Sequence, residues 1–163
     1  MLAGVLTANL QVIRGGVRAT EYAEMEAQVR RALDMLGRDL REALDITWNN
    51  ESDLTLTIPT SDTTVGQVTY AWTSASGAFF RVAGASSAAA GRLELVRGIR
   101  PLRGNAPGAV FTRFDRDGAE ARTDDATKSI QITLTTTRTR TGMADMTQAA
   151  VSARFLMRNK ATN

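Results

Sequence analysis

The chain has 163 residues, 43% of them apolar and 23% charged, with a formal net charge of +3, a size and balance suited to one domain with a genuine core. It contains neither His nor Cys, which removes disulfides, thiolate and imidazole metal sites, the Ser-His and Cys-His nucleophile pairs and the usual neutral-pH general base. Basic charge is unevenly placed: residues 1–44 carry six Arg and six acids, whereas 81–122 carry eight Arg and four acids, so the excess lies mid-chain and suits an acidic partner without forming a dedicated nucleic-acid arm.

Residues Met1 to Ile13 are apolar, interrupted by Thr7, Asn9 and Gln11. About 20 apolar residues are needed to cross a bilayer as a helix, so this segment cannot span alone. It also lacks the basic start and small-residue cleavage pattern of a secretory signal. It reads as the tail of a longer apolar helix or as a helix lying in an interface, with Leu2, Val5, Leu6, Leu10 and Ile13 as membrane or assembly residues. Gly15 and Gly16, each costing about 1 kcal/mol in a helix interior, mark a soft joint after it.

Beyond the joint, Tyr22, Met25, Val29, Leu33, Leu36, Leu40 and Leu44 recur at steps of three and four, drawing one apolar stripe down a helix. Glu21, Glu24 and Glu26 suit its N-terminal turn, and Arg38 and Arg41 its other end. Arg30, Arg31, Asp34, Arg38, Arg41 and Glu42 form the opposite, solvated face. A helix from Leu2 to Asp45 would measure roughly 65 Å, against about 35 to 40 Å for the compact remainder. Such a helix overhangs its domain, and an overhanging stripe needs a membrane, a partner helix or copies of itself.

After Leu44 the pattern changes to period two. Asp53 to Ile58 alternates and ends at Pro59; Val68 to Trp72 and Ala78 to Val82 flank a Gly-containing connection and read as a hairpin; Leu93 to Val96 leads into a bend at Gly98. Val110 to Phe114, Lys128 to about Thr139 and Ala149 to Met157 are three more strands, Ile130, Ile132 and Leu134 alternating with polar residues in the second of these. The expected fold is α+β: a long N-terminal amphipathic helix packed on an antiparallel β-sheet. Residues 1–19 form the second half of the apolar helix, and 20–163 form the globular domain, helical to about 45 and β-rich thereafter.

Two constellations could carry chemistry. Asp115 and Asp117 before Gly118 are weak metal candidates, but the third acid and the bidentate Glu of an EF-hand are missing, and Asp with Gly makes a turn for conformational reasons alone. Arg97, Arg100, Arg103 and Arg113 could contact an anion such as a DNA backbone, though aromatic stacking platforms or a recognition helix usually accompany such a face. No glycine-rich phosphate loop occurs, and no cofactor or catalytic residue is expected.

The order of parts, with the stretch Ala32-Leu33-Asp34-Met35-Leu36-Gly37-Arg38-Asp39-Leu40-Arg41-Glu42-Ala43, the run Leu95-Val96-Arg97-Gly98-Ile99, Phe111 to Gly118 and the closing strands from Ser129 to Asn159, resembles the minor pilins of type IV filaments and the pseudopilins of type II secretion, nearest to the PilW and J-type groups. The resemblance implies a structural, non-enzymatic subunit with no cofactor. Such a subunit is anchored by its helix in the inner membrane with a periplasmic domain, or packed in a cell-surface filament, with other pilin or pseudopilin subunits as partners. Family members begin with a basic leader ending in Gly, then Phe or Met and an apolar run containing a Glu. None of this precedes Met1, so the chain either lacks the first half of its apolar helix or is not processed as a pilin. The alternative is a DNA-contacting minor pilin using its Arg-rich stretch.

Overall fold

The computed structural model describes residues 23–61, 64–99, 107–138 and 147–161. Helix α1 (residues 23–42) is followed by eight strands: β1 (Asp45–Asn50), β2 (Asp53–Pro59), β3 (Val65–Thr73), β4 (Ala78–Ala83), β5 (Leu93–Val96), β6 (Ala109–Phe114), β7 (Ser129–Arg138) and β8 (Thr147–Leu156). They form a five-stranded sheet in the order β1-β2-β3-β4-β5 and a three-stranded sheet in the order β6-β7-β8, and every pairing is antiparallel.

This corrects the expected α+β architecture of a long helix on one sheet. The described helix has 20 residues, about 30 Å of length, and the fold is mostly β in two sheets. The reason is one of area. Eight alternating strands set side by side would be roughly 38 Å wide, whereas a helix covers only about 10 Å. The inner faces of both sheets are instead buried with α1 in one shared core, in which Phe79 of the first sheet meets Phe111 of the second with ring centroids 6.1 Å apart. The helix also stops earlier than its periodicity suggests: Leu44, on the extrapolated stripe, is exposed, and its N–H donates to Thr57 O at 2.8 Å as the chain enters β1. Residues 1–22, with the predicted apolar segment and glycine joint, lie outside the described residues.

One continuous core draws on all three layers. Val29, Ala32, Leu36, Leu40 and Ala43 from α1 join Ile46, Leu54, Leu56, Val68, Tyr70 and Phe79 from the five-stranded sheet and Phe111, Ile130, Ile132 and Leu134 from the three-stranded sheet. Each large side chain contributes about 1.5 to 3 kcal/mol by leaving water. Gly37 lets α1 come close to β8, because a Cβ there would lie 2.6 Å from Phe155 Cε1.

The outer face of the five-stranded sheet is covered too. Residues 84–92, small and polar in sequence, cross it as a strap: Thr69 Oγ1 donates to Gly84 O at 2.7 Å, Ala89 packs on Ala71, Phe80 and Val82, and the Arg92 guanidinium stacks on Phe80 at 4.6 Å. Beneath it, the Thr55 and Thr69 hydroxyls bond each other at 2.9 Å.

The contact at Gly37 predicts that Gly37→Leu lowers stability by about 1 to 3 kcal/mol through overpacking. Most of that loss should vanish in a Phe155→Ala background, a non-additivity that a double-mutant cycle in denaturant unfolding measures.

Candidate functional site

Two polar clusters stand out from this scaffold. The first lies between α1 and the five-stranded sheet. Asp39, only 6% exposed, projects from the buried side of the helix, three residues after Leu36 and four before Ala43. Its Oδ2 accepts the Tyr70 hydroxyl at 2.7 Å and the Arg81 Nε–H at 2.8 Å. Tyr70 and Arg81 are register partners on β3 and β4, so their side chains share the inner face. Burial, with the Asp39 charge and hydrogen bond adding to it, pushes the Tyr70 phenol well above its usual pKa. Burial opposes the Arg81 cation, but the hydrogen bond and charge of Asp39 outweigh it and raise its pKa. The cluster is closed, and its chemistry is structural: an ion pair with a neutral phenol donor.

The second cluster lines a cleft of about 690 Å³ where the two sheets meet, bordered by Trp48, Glu51, Phe111, Arg113, Glu120 and Arg122. Arg113 is the register partner of Ile130 and turns inward. Its guanidinium lies 4.9 Å from the centroid of the Trp48 ring, with Nη1 donating to Asp124 Oδ1 at 2.6 Å and Nη2 to Arg122 O at 2.8 Å. The other oxygen of Asp124 accepts the Trp48 backbone N–H at 3.0 Å, and Phe111 N–H donates to Glu51 O at 2.7 Å. The cleft wall is thus a clamp between the sheets.

The candidates named from sequence fall as follows. Arg113 is in the clamp. Arg97, beyond β5, pairs with Glu94 through its Nε, and its backbone N–H reaches Gln28 Oε1 on the helix at 3.3 Å. These two arginines are therefore drawn to different acids. Arg100 and Arg103 lie outside the described residues, as do Leu2, Val5, Leu6, Leu10 and Ile13. Asp115 shapes a turn: its Oδ1 accepts the N–H groups of Asp117 and Ala119, each at 2.9 Å, and Gly118 sits at φ +88°. Among the described residues no group of three or more His, Cys, Asp or Glu side chains is placed to hold a metal ion.

Sequence reasoning missed Asp39, Tyr70 and Arg81. The signal was there for Asp39, whose spacing from Leu36 and Ala43 places a carboxylate on the buried stripe, and for Arg81, which shares the parity of Phe79. The Trp48–Asp124 contact spans 76 residues, and no local pattern announces it. No protein-family model matches the chain, and no curated protein matches it significantly.

Asp39→Ala leaves the partly buried Arg81 guanidinium and the buried Tyr70 hydroxyl unpaired and is expected to cost about 1 to 3 kcal/mol, with joint replacement by Asp39→Leu and Arg81→Met recovering most of it; urea unfolding of the three variants checks both. The Tyr70 shift also fixes a sign. Below the ordinary tyrosine pKa of about 10, both states keep the proton and the contribution is full. Above it the unfolded phenol ionises while the folded one stays protonated, so stability falls as pH rises. Unfolding midpoints measured from pH 8 to 11 should decline more steeply for the native chain than for Tyr70→Phe.

Proposed function

We propose that this chain is a structural subunit of a filament, a minor pilin or pseudopilin of the type IV pilus or type II secretion kind, working by helix-mediated assembly with other such subunits. The observation that carries this reading is the construction of α1. Its apolar stripe is sunk in the β core and held by Asp39, while Glu26, Arg30, Arg31, Arg38 and Arg41 face solvent. The same chain continues N-terminally into the apolar run holding Leu2, Val5, Leu6, Leu10 and Ile13. A globular domain is thereby fastened to a helix whose upstream sequence suits lipid or a bundle of like helices. Among the described residues no helix is long and apolar enough to cross a membrane, so the proposed anchoring rests on the segment before α1. In this reading the domain resides on the periplasmic side of an inner membrane or on a cell-surface filament.

The test adds a prepilin leader and the first half of an apolar pilin helix ahead of Met1 and follows the protein by membrane fractionation and by cross-linking to co-expressed pilin subunits. The expected result is membrane association and cross-linking, both lost when Leu6 and Leu10 are replaced together by Asp. A fusion that stays soluble and co-purifies with no pilin subunit overturns the proposal.

A further inference from the structure

The two sheets have four edge strands among the described residues, and three of them are guarded. On β1 the Trp48 N–H is taken by Asp124, and the register with β2 shifts between Trp48 and Asn50. Strand β5 is only four residues long, and Gly98 at φ +71° turns the chain away just beyond it. On β6 the Phe111 N–H goes to Glu51 O, and Arg113 O accepts the Ala121 N–H at 3.0 Å. These are the devices by which folded proteins blunt their edges. Among the described residues strand β8 has none of them. Its ten residues pair with β7 without a register break, from Ser129↔Leu156 to Arg138↔Thr147. It contains no Pro and no Lys, and its single charge is Arg154.

The ladder shows which groups β8 leaves open. Met157 N–H donates to Lys128 O, and antiparallel pairs alternate between bonded and non-bonded. The inward hydrogen bonds of β8 therefore belong to Val151, Ala153 and Phe155, while Ala150, Ser152, Arg154 and Leu156 direct their N–H and C=O groups away from β7. We infer that this edge pairs with β8 of a second copy of the chain, antiparallel about a two-fold axis through Ser152, joining two three-stranded sheets into one of six strands.

The sequence of the edge is complementary to itself in that register. Ala150 stands opposite the partner's Arg154, and Val151 opposite the partner's Ala153, so large meets small on both faces. The one charge meets a methyl group instead of its own copy, avoiding the like-charge opposition that destabilises cross-strand pairs. About ten backbone hydrogen bonds would form. The outer face is already ordered for the purpose: Gln131 Nε2 donates to Ser152 Oγ at 3.0 Å, Arg154 Nε donates to Ser129 Oγ at 2.9 Å, and the Arg154 guanidinium stacks on Phe114 at 3.9 Å. A second copy brings an equally ordered strand, whereas a free peptide would first have to be ordered residue by residue. The pairing also covers Val151 and Leu156, which are 37% and 54% exposed, and the two-fold closes, so no fibre grows from it.

Sedimentation equilibrium of the full chain in mild detergent tests the inference. A monomer–dimer equilibrium is expected. Ala150→Lys, which sets two like-charge pairs across the axis, should weaken it about tenfold, and Ala150→Glu, which sets an acid opposite each Arg154, should tighten it in a salt-sensitive way. Ser152→Pro removes an outward N–H that β7 does not use and should leave a monomer whose circular dichroism is unchanged; should that variant misfold, the Ala150 pair decides alone. A chain that stays monomeric throughout, or a dimer indifferent to both Ala150 substitutions, overturns the inference. Neither outcome bears on the filament proposal, whose readout is membrane association and cross-linking to other subunits.

Discussion

One carboxylate oxygen sets the position of the helix on the sheet. Burial of Leu36, Leu40 and Ala43 holds α1 against the strands but is non-directional, and a helix slipped by a turn, about 5.4 Å, would still bury most of an apolar stripe. Asp39 does not allow that slip, because its Oδ2 must find both the Tyr70 hydroxyl and the Arg81 Nε–H, and a buried charge without partners is costly. From this fixed point order is handed on through rings. Tyr70 stacks on Phe79 at 6.0 Å, and Phe79 tilts against Phe111 at 6.1 Å. Helix, first sheet and second sheet are thus indexed to one another through four side chains.

The periphery repeats the device with weaker parts. Arg113 reaches Asp124 and Arg122 while stacking on Trp48, tying the 120–127 loop and the β6 edge to β1. At the chain's far end Lys160, 4% exposed, sets its Nζ 3.2 Å from Asp45 Oδ1, and its carbonyl accepts the Lys128 Nζ at 2.5 Å. Together with the Asn159 amide on Glu42 O at 3.4 Å, these contacts pin the C-terminal segment over the junction of α1 and β1. In each case a long basic side chain joins elements that the backbone ladder leaves separate.

What the sequence makes legible follows from the range over which each force acts. Period-two alternation is local, and it places β2 to β8 close to where they stand, because each strand advertises its own buried face. β1 escaped notice: in Asp45–Asn50 only Ile46 is fully buried, too little alternation against the momentum of the preceding helical pattern. The division into two sheets is a property of the total apolar area and cannot be seen in any single strand. The polar clusters divide the same way. Asp39 betrays itself by lying on an apolar stripe, whereas the partnership of Arg113 with Trp48 depends on contacts made only after the sheets have met. The small-residue run 84–92 is ordered by the hydroxyls and the Phe80 ring beneath it.

That strap has a consequence for how such a chain can change. It is anchored at Thr69 and Phe80 and bracketed by Gly84 and Gly91, at φ +113° and +80° with open space around each. Between the anchors it is tied to the sheet by Ala89 and by the Ala85 carbonyl, which accepts the Thr55 hydroxyl at 3.5 Å, while Ser86 closes a local turn on the Ala88 and Ala89 N–H groups. Residues can therefore be added or exchanged along it without disturbing strand register, helix placement or the meeting of the two sheets. The strap is a covered surface with latitude to diversify: a place where the chain can vary in length, and where a tag or a foreign epitope can be spliced in at small cost to folding.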